Sequence, residues 1–183
     1  MTNADLLQLQ RDVRLIRDRQ EILDCIVREA RGRDRHDVAL TSSAFWPDAV
    51  DEHGPIVTAA AAYAERANAG HAMFFSATQH NICNHTCEID GDVAHCETYV
   101  AGTLMAKDEQ TCILAPGRYL DRMERRGGEW RIAFRRTTVE MSLQGSTEFA
   151  RSRACQGFAR GEWSHEDTSY TRPLTLESPT RRW

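Results

Sequence analysis

Acid–base chemistry is within reach of two residues in this chain of 183, Asp34 and His80. Asp34 follows a helical segment, in Arg31-Gly32-Arg33-Asp34, and His80 lies in Thr78-Gln79-His80-Asn81 at the start of a strand pattern. An imidazole has an ordinary pKa of about 6.5, so near neutrality it can both take and return a proton. A carboxylate on its other ring nitrogen fixes the tautomer and stabilises the imidazolium as it forms. Taken singly, each residue has a plainer use. Asp34 suits a helix N-cap, with Asp37 as competitor, and His80 suits a half-buried strand histidine bonded to a neighbour. His85 is five residues further on and should point to the opposite face, joining His80 in one pocket only if a bulge intervenes.

Further ionisable and aromatic groups flank this pair. Asp51-Glu52-His53 is a dense cluster in which Asp51 and His53 share a face, and an exposed edge and a pocket wall are equally open to it. In Trp130-Arg131-Ile132-Ala133-Phe134-Arg135-Arg136, alternation groups Arg131, Ala133 and Arg135 on one face and Ile132 and Phe134 on the other. An arginine turned inward needs a carboxylate or an anionic ligand, whereas Arg136 reads as surface. Tyr99 and Tyr119 lie mid-strand, as core residues with a satisfied hydroxyl or as proton donors to a cavity. No phosphate loop, dinucleotide fingerprint or serine-nucleophile elbow is present, so no cofactor is expected. The six cysteines form no CxxC pair, and no metal is expected; they read as reduced, mostly buried thiols.

The elements that must position these groups follow from periodicity. Leu6, Leu9, Val13, Ile16, Leu23, Val27 and Ala30 form one apolar stripe of a long helix, with Asp5, Asp12 and Asp18 on its other faces. Such a stripe could supply a coiled-coil partner, but covering a sheet fits its length better. Gly32 reads as the helix end. A short helix over 37–43, a turn at Phe45-Trp46-Pro47-Asp48, a strand over 49–53, a break at Gly54-Pro55 and an alanine-rich helix over 56–69 follow. Four strands come next, over 76–89, 93–106, 111–125 and 129–142, with Asp90-Gly91-Asp92, Lys107-Asp108-Glu109 and Arg126-Gly127-Gly128 between them. Gly102 and Gly117 are candidate bulge or bend points. Helices first and an antiparallel meander after is an α+β pattern, an open cone of curved antiparallel strands closed by N-terminal helices. Residues 1–144 read as the domain. Residues 145–183 read as an extension whose Phe149, Phe158, Trp163, Tyr170 and Trp183 pack on the domain or on a neighbouring subunit.

Composition narrows the classes of function. A hydrophobic share of 41% is too high for disorder, and a net charge of −4 without a basic stripe argues against nucleic acid. No apolar run approaches the roughly eighteen residues of a membrane span, and the polar start lacks a signal-peptide pattern, so a cytoplasmic protein is expected. The convex face of a curved sheet invites association, which predicts a homodimer or homotrimer.

Taken in order, Gly32-Arg33-Asp34, Phe45-Trp46-Pro47-Asp48-Ala49, Thr78-Gln79-His80-Asn81 and Trp130-Arg131-Ile132 with Arg135 resemble the SnoaL-like group of the nuclear transport factor 2 superfamily, over residues 10–142. The resemblance implies a cystatin-like α+β barrel with a deep apolar cavity. It also implies enzymes such as scytalone dehydratase, hexachlorocyclohexane dehydrochlorinase, bile acid dehydratase, ketosteroid isomerase, polyketide cyclases and formaldehyde-releasing lyases. Asp34 and His80 match that group's dyad, Arg135 its final-strand arginine, and Tyr119 a pocket aromatic. Trp46, Asp51, His53 and Tyr99 complete the candidate substrate contacts. Asp51-Glu52-His53 stands where the dehydrochlorinase carries a pocket Trp, which separates the substrate preferences of the two.

Three functions follow as expectations. The first is a lyase in which His80 removes a proton from a hydrophobic substrate, Asp34 orients it, and Tyr119, Tyr99 or Arg135 stabilises the leaving oxygen. The second is a double-bond isomerase or cyclase, which returns the proton to carbon. The third is a non-catalytic binding protein, which requires Asp34 and His80 to lie apart. The superfamily holds such members, so fold alone does not decide.

Overall fold

Helix α1 (Asn3–Arg35) opens the computed structural model, which describes residues 2–183. Thr2 caps it in a reciprocal box: its hydroxyl accepts from the Asp5 amide at 3.2 Å, and the Asp5 carboxylate accepts from the Thr2 amide at 2.7 Å. At 33 residues the helix is about 50 Å long and outruns the sheet. Residues 2–17 are exposed, so Leu6, Leu9, Val13 and Ile16 cover nothing within the chain. Burial begins at Asp18 and continues through Ile22, Cys25, Ile26 and Glu29. Asp18 thus belongs to the buried side, where its Oδ1 accepts from Trp130 Nε1 at 3.0 Å and from Arg125 Nη1 at 2.9 Å.

Gly32 does not end the helix. The end comes at His36, whose φ of 51° is left-handed, and α1 therefore carries Asp34 in its last turn. Helix α2 (Val38–Ser43) follows, capped by Asp37 through the Leu40 amide at 2.9 Å. Gly32 is needed for close approach: a Cβ there would lie 2.6 Å from Thr41 N and closer still to Thr41 Oγ1. Gly32→Ala should therefore part α1 from α2 and cost roughly 1–3 kcal/mol. This is read as a lower urea midpoint at unchanged slope, and an unshifted midpoint would show that the two helices separate freely.

Strand β1 (Phe45–His53) includes the segment expected as a turn. Ile56–Ala59, expected as helix, is strand β2, antiparallel to β1, and helix α3 (Ala60–Phe74) starts only after it. Ile56, Val57 and Thr58 are β-branched and stiff, which suits an edge strand better than a helix. Strands β3 (Phe75–Asp90), β4 (Val93–Ala106), β5 (Thr111–Arg126) and β6 (Glu129–Val139) form the expected meander. The sheet order is β2-β1-β6-β5-β4-β3, with β7 (Leu143–Ser146) beside β5. β1 runs parallel to β6, so the curved, unclosed sheet is mixed rather than purely antiparallel. The parallel register sets Asp51 beside Arg135.

Two register shifts decide which side chains face the core. One lies in β3 between Ile82 and His85, so His85 returns to the face of His80. The other lies between Arg122 and Met123, where Ala133 of β6 is the extra residue. It brings Trp130 and Ile132 to the buried side with Arg135, and leaves Arg131 on the other. Neither shift falls at Gly102 or Gly117. Gly117 serves close strand approach instead, since a Cβ would overlap the Thr138 carbonyl.

The core joins Ile22, Cys25 and Ile26 of α1 and Tyr63 of α3 to Phe45, Val100, Tyr119, Met123, Trp130 and Ile132 of the sheet. After β7 the chain folds back over the end of α1. Arg35 Nη1 donates to Asp167 at 3.0 Å, Tyr170 OH donates to Asp37 at 2.9 Å, and Trp163 stacks on His36 at 3.8 Å. Phe149 and Phe158 remain exposed. Among the described residues no helix is long and apolar enough to cross a membrane.

Candidate active site

Asp34 points from the last turn of α1 onto the start of β3. Its Oδ1 lies 2.7 Å from His80 Nδ1 and accepts from the Thr78 hydroxyl at 3.1 Å, while Oδ2 accepts from the His80 backbone amide at 2.7 Å. Three contacts from one stretch of β3 fix the carboxylate against the ring. An acceptor at Nδ1 places the ring proton there and leaves a lone pair on Nε2, the tautomer a general base requires. Both side chains are close to buried, at 11% and 9% exposed, so water does little to screen the pair.

Behind this pair runs a chain of buried polar groups. Asp121 takes two bonds from Arg135, from Nε at 2.7 Å and Nη2 at 2.8 Å, and Arg135 Nη1 donates to Glu29 at 2.7 Å. Tyr63 OH donates to the other oxygen of Glu29 at 3.1 Å and accepts from Arg33 Nη1 at 2.7 Å. Arg33 Nη2 donates to His71 Nε2 at 2.9 Å, and the His71 ring lies parallel to the His80 ring at 5.8 Å. Burial opposes the charge on Glu29, but Arg135 and Arg33 outweigh it and hold the carboxyl below its ordinary range. Burial, followed by the Arg33 charge, pushes His71 down to about 2, so this ring stays neutral. Burial raises both the Tyr63 and Tyr119 hydroxyls, which remain protonated.

A cavity of about 510 Å³ opens beside His71. Its polar lining includes Arg33, Asp51, His53, Tyr63, Arg66 and His71, and Ile56, Met73, Phe74 and Phe75 make most of its apolar wall. The size suits a small organic molecule. His80 is not on its surface; it stands one ring further in, behind His71.

The structure sorts the candidate residues. Asp34 and His80 touch; Asp51 and His53 face the cavity; Tyr119 is buried with the Arg135 guanidinium 3.8 Å over its ring. Three expectations change. Tyr99 is 47% exposed on the face away from the core, because β4 alternates regularly there. Trp46 leaves the pocket, bonding Glu124 O at 2.9 Å between the guanidinium groups of Arg126 and Arg131. Arg135 is fully buried and bound to two carboxylates, so it frames the site without facing the cavity. Motif and spacing alone do not single out Glu29, Arg33, Tyr63, His71 and Asp121, which the fold brings into the site. Glu29 and Arg33 sit four apart on the same helical face as Ile22 and Ile26, a charged interruption of an apolar stripe that marks buried polar function.

At the other end of β3 and β4, His85, Cys87 and Cys96 bring their ligand atoms within 4.8 Å of one another, a grouping that strand pairing creates and spacing along the chain conceals.

These features place the chain among known folds. The SnoaL-like domain model matches residues 14–136, and the protein belongs to that family. Its fold is shared with a candidate scytalone dehydratase from Novosphingobium aromaticivorans, at 19% identity and a TM-score of 0.65 over 73% of this chain and 90% of that one. The LinA-type3 hexachlorocyclohexane dehydrochlorinase of Novosphingobium barchaimii is similar at 18% identity and a TM-score of 0.65, over 73% and 94%. A Mycobacterium tuberculosis protein of unknown function reaches 25% identity and a TM-score of 0.59, over 76% and 77%. No curated protein matches the chain.

Proposed function

We propose that this protein is a cofactor-independent lyase acting on a hydrophobic, aromatic or polycyclic small molecule. His80 Nε2 takes a proton from carbon, Asp34 holds the ring and stabilises its charged form, and water or a one-carbon fragment such as formaldehyde leaves. The observation that carries this reading is the 2.7 Å contact between His80 Nδ1 and Asp34 Oδ1, reinforced by two further bonds to the same carboxylate. A binding protein has no need of an oriented tautomer. The apolar cavity wall supports a hydrophobic substrate, and two of the structural neighbours carry the names of elimination enzymes. Because His71 covers His80, the reading requires the His71 ring to leave its stack when substrate enters.

An isomerase or cyclase would use the same base, and isotope labelling separates the two. In deuterium oxide, with a β-hydroxy-β-phenyl ketone as probe, a lyase releases a product lighter by one water. A product that keeps its hydroxyl oxygen and is heavier by the deuterium taken from solvent would replace the lyase reading with the isomerase.

A further inference from the structure

Asp51 presents a need that the fold leaves unmet. Its side chain is 1% exposed, yet it lines the cavity. Both of its carboxyl oxygens are buried, and neither has a hydrogen-bond partner among the described residues. His53 Nδ1 stands 3.9 Å away, beyond hydrogen-bond reach. The parallel register sets Asp51 directly beside Arg135, the obvious partner, but that guanidinium is turned toward Asp121 and Glu29. Buried carboxyl groups are almost always satisfied, so one that is orphaned on both oxygens in a residue of the cavity wall is poised for a ligand.

We propose that Asp51 is a further catalytic residue, the general acid that protonates the leaving oxygen, and that the substrate is accordingly a β-hydroxy carbonyl compound that loses water. This deepens the lyase reading and rests on it. Burial raises the Asp51 carboxyl to about 7, with Arg135 opposing and Glu29 adding to the rise. The charged and titratable groups around it are Glu29 and Arg33 of α1, Tyr63 of α3, Asp121 of β5, Arg135 of β6 and His53 on its own strand. A substantial fraction of Asp51 therefore carries a proton at neutral pH.

The step balances without a co-reactant. His80 Nε2 takes the proton from the carbon next to the carbonyl. The C–H electron pair becomes the new carbon–carbon double bond, and the C–O bond breaks as the Asp51 proton joins the departing hydroxyl to make water. The imidazolium then gives a proton to solvent and the Asp51 carboxylate takes one back. Expulsion of hydroxide needs such an acid, whereas departure of a weakly basic anion does not, so this acid assigns the site to dehydration.

Infrared spectroscopy tests the protonation without any substrate. At about pH 6 the wild-type protein should show a protonated-carboxyl carbonyl band that shifts in deuterium oxide, fades as pH rises through about 7 and is missing from Asp51→Asn. Asp51→Ser serves if the first variant does not fold. Absence of the band overturns the proposal. The kinetic arm compares the β-hydroxy-β-phenyl ketone with its β-acetoxy analogue, whose acetate leaves unaided. Asp51→Asn should slow the hydroxy ketone by about 100-fold or more and the acetoxy ketone little. Equal slowing of both, with His80→Ala still inactive, removes the role of Asp51 and keeps the dyad. Retained activity in His80→Ala removes the dyad instead.

Discussion

His80→Ala loses about 100- to 10,000-fold in the rate of elimination, with the fold intact. The magnitude is that of a positioned general base. The neighbouring ring, His71, has the lowered basicity of an imidazole held beside Arg33 and buried. Asp34→Asn should fall nearly as far. An amide keeps one oxygen, but it offers N–H donors where His80 Nδ1 needs an acceptor, which favours the wrong tautomer. It also weakens the bonds from Thr78 and from the His80 amide that hold the start of β3 against α1. Steady-state kinetics with far-UV circular dichroism checks both variants. Unchanged turnover in either, with normal spectra, removes that residue from the mechanism.

The second large effect is on stability. Arg135→Met should destabilise the protein by about 3–5 kcal/mol, because it leaves the carboxylates of Glu29 and Asp121 buried without their cation. In a domain of this size that is a fall of roughly 10 °C or more in Tm. The methionine matches the arginine stem in shape, so little of the loss comes from packing. The charge explanation carries its own control: adding Glu29→Gln and Asp121→Asn to Arg135→Met should recover part of the midpoint. A melting curve for Arg135→Met that overlies wild type would mean that the network contributes nothing to folding, and failure of the triple variant to recover would assign the loss to shape.

Much of this was legible in the residue order. The meander between Phe75 and Val139 follows from alternation and from turns at Gly91 and Gly127, and the Asp34–His80 contact follows from position in the family pattern. What escaped has physical causes. Helix propensity in the alanine run after Ala59 overshadowed the short β-branched segment Ile56-Val57-Thr58, and with it the parallel placement of β1 that sets Asp51 beside Arg135. Gly32 reads as a stop signal, while its real constraint is the Thr41 backbone of the next helix packed against it, which helix-end patterns do not reveal. A bulge reverses every side chain beyond it, so Arg131 and Ile132 were exchanged between faces, and His85 was assigned away from His80. The buried chain from Asp121 to His71 spans four elements, β5, β6, α1 and α3, and only its Glu29–Arg33 portion shows in the sequence as charge within an apolar stripe.

One act is central to the proposed chemistry, removal of a carbon-bound proton by His80 as Asp34 holds it. The most direct measurement is proton exchange at that carbon. The wild-type protein, incubated in deuterium oxide with a β-phenyl ketone that lacks the hydroxyl leaving group, should wash deuterium into the position next to the carbonyl, while His80→Ala and Asp34→Asn should exchange no faster than buffer alone. Exchange by both variants at the wild-type rate would contradict the account.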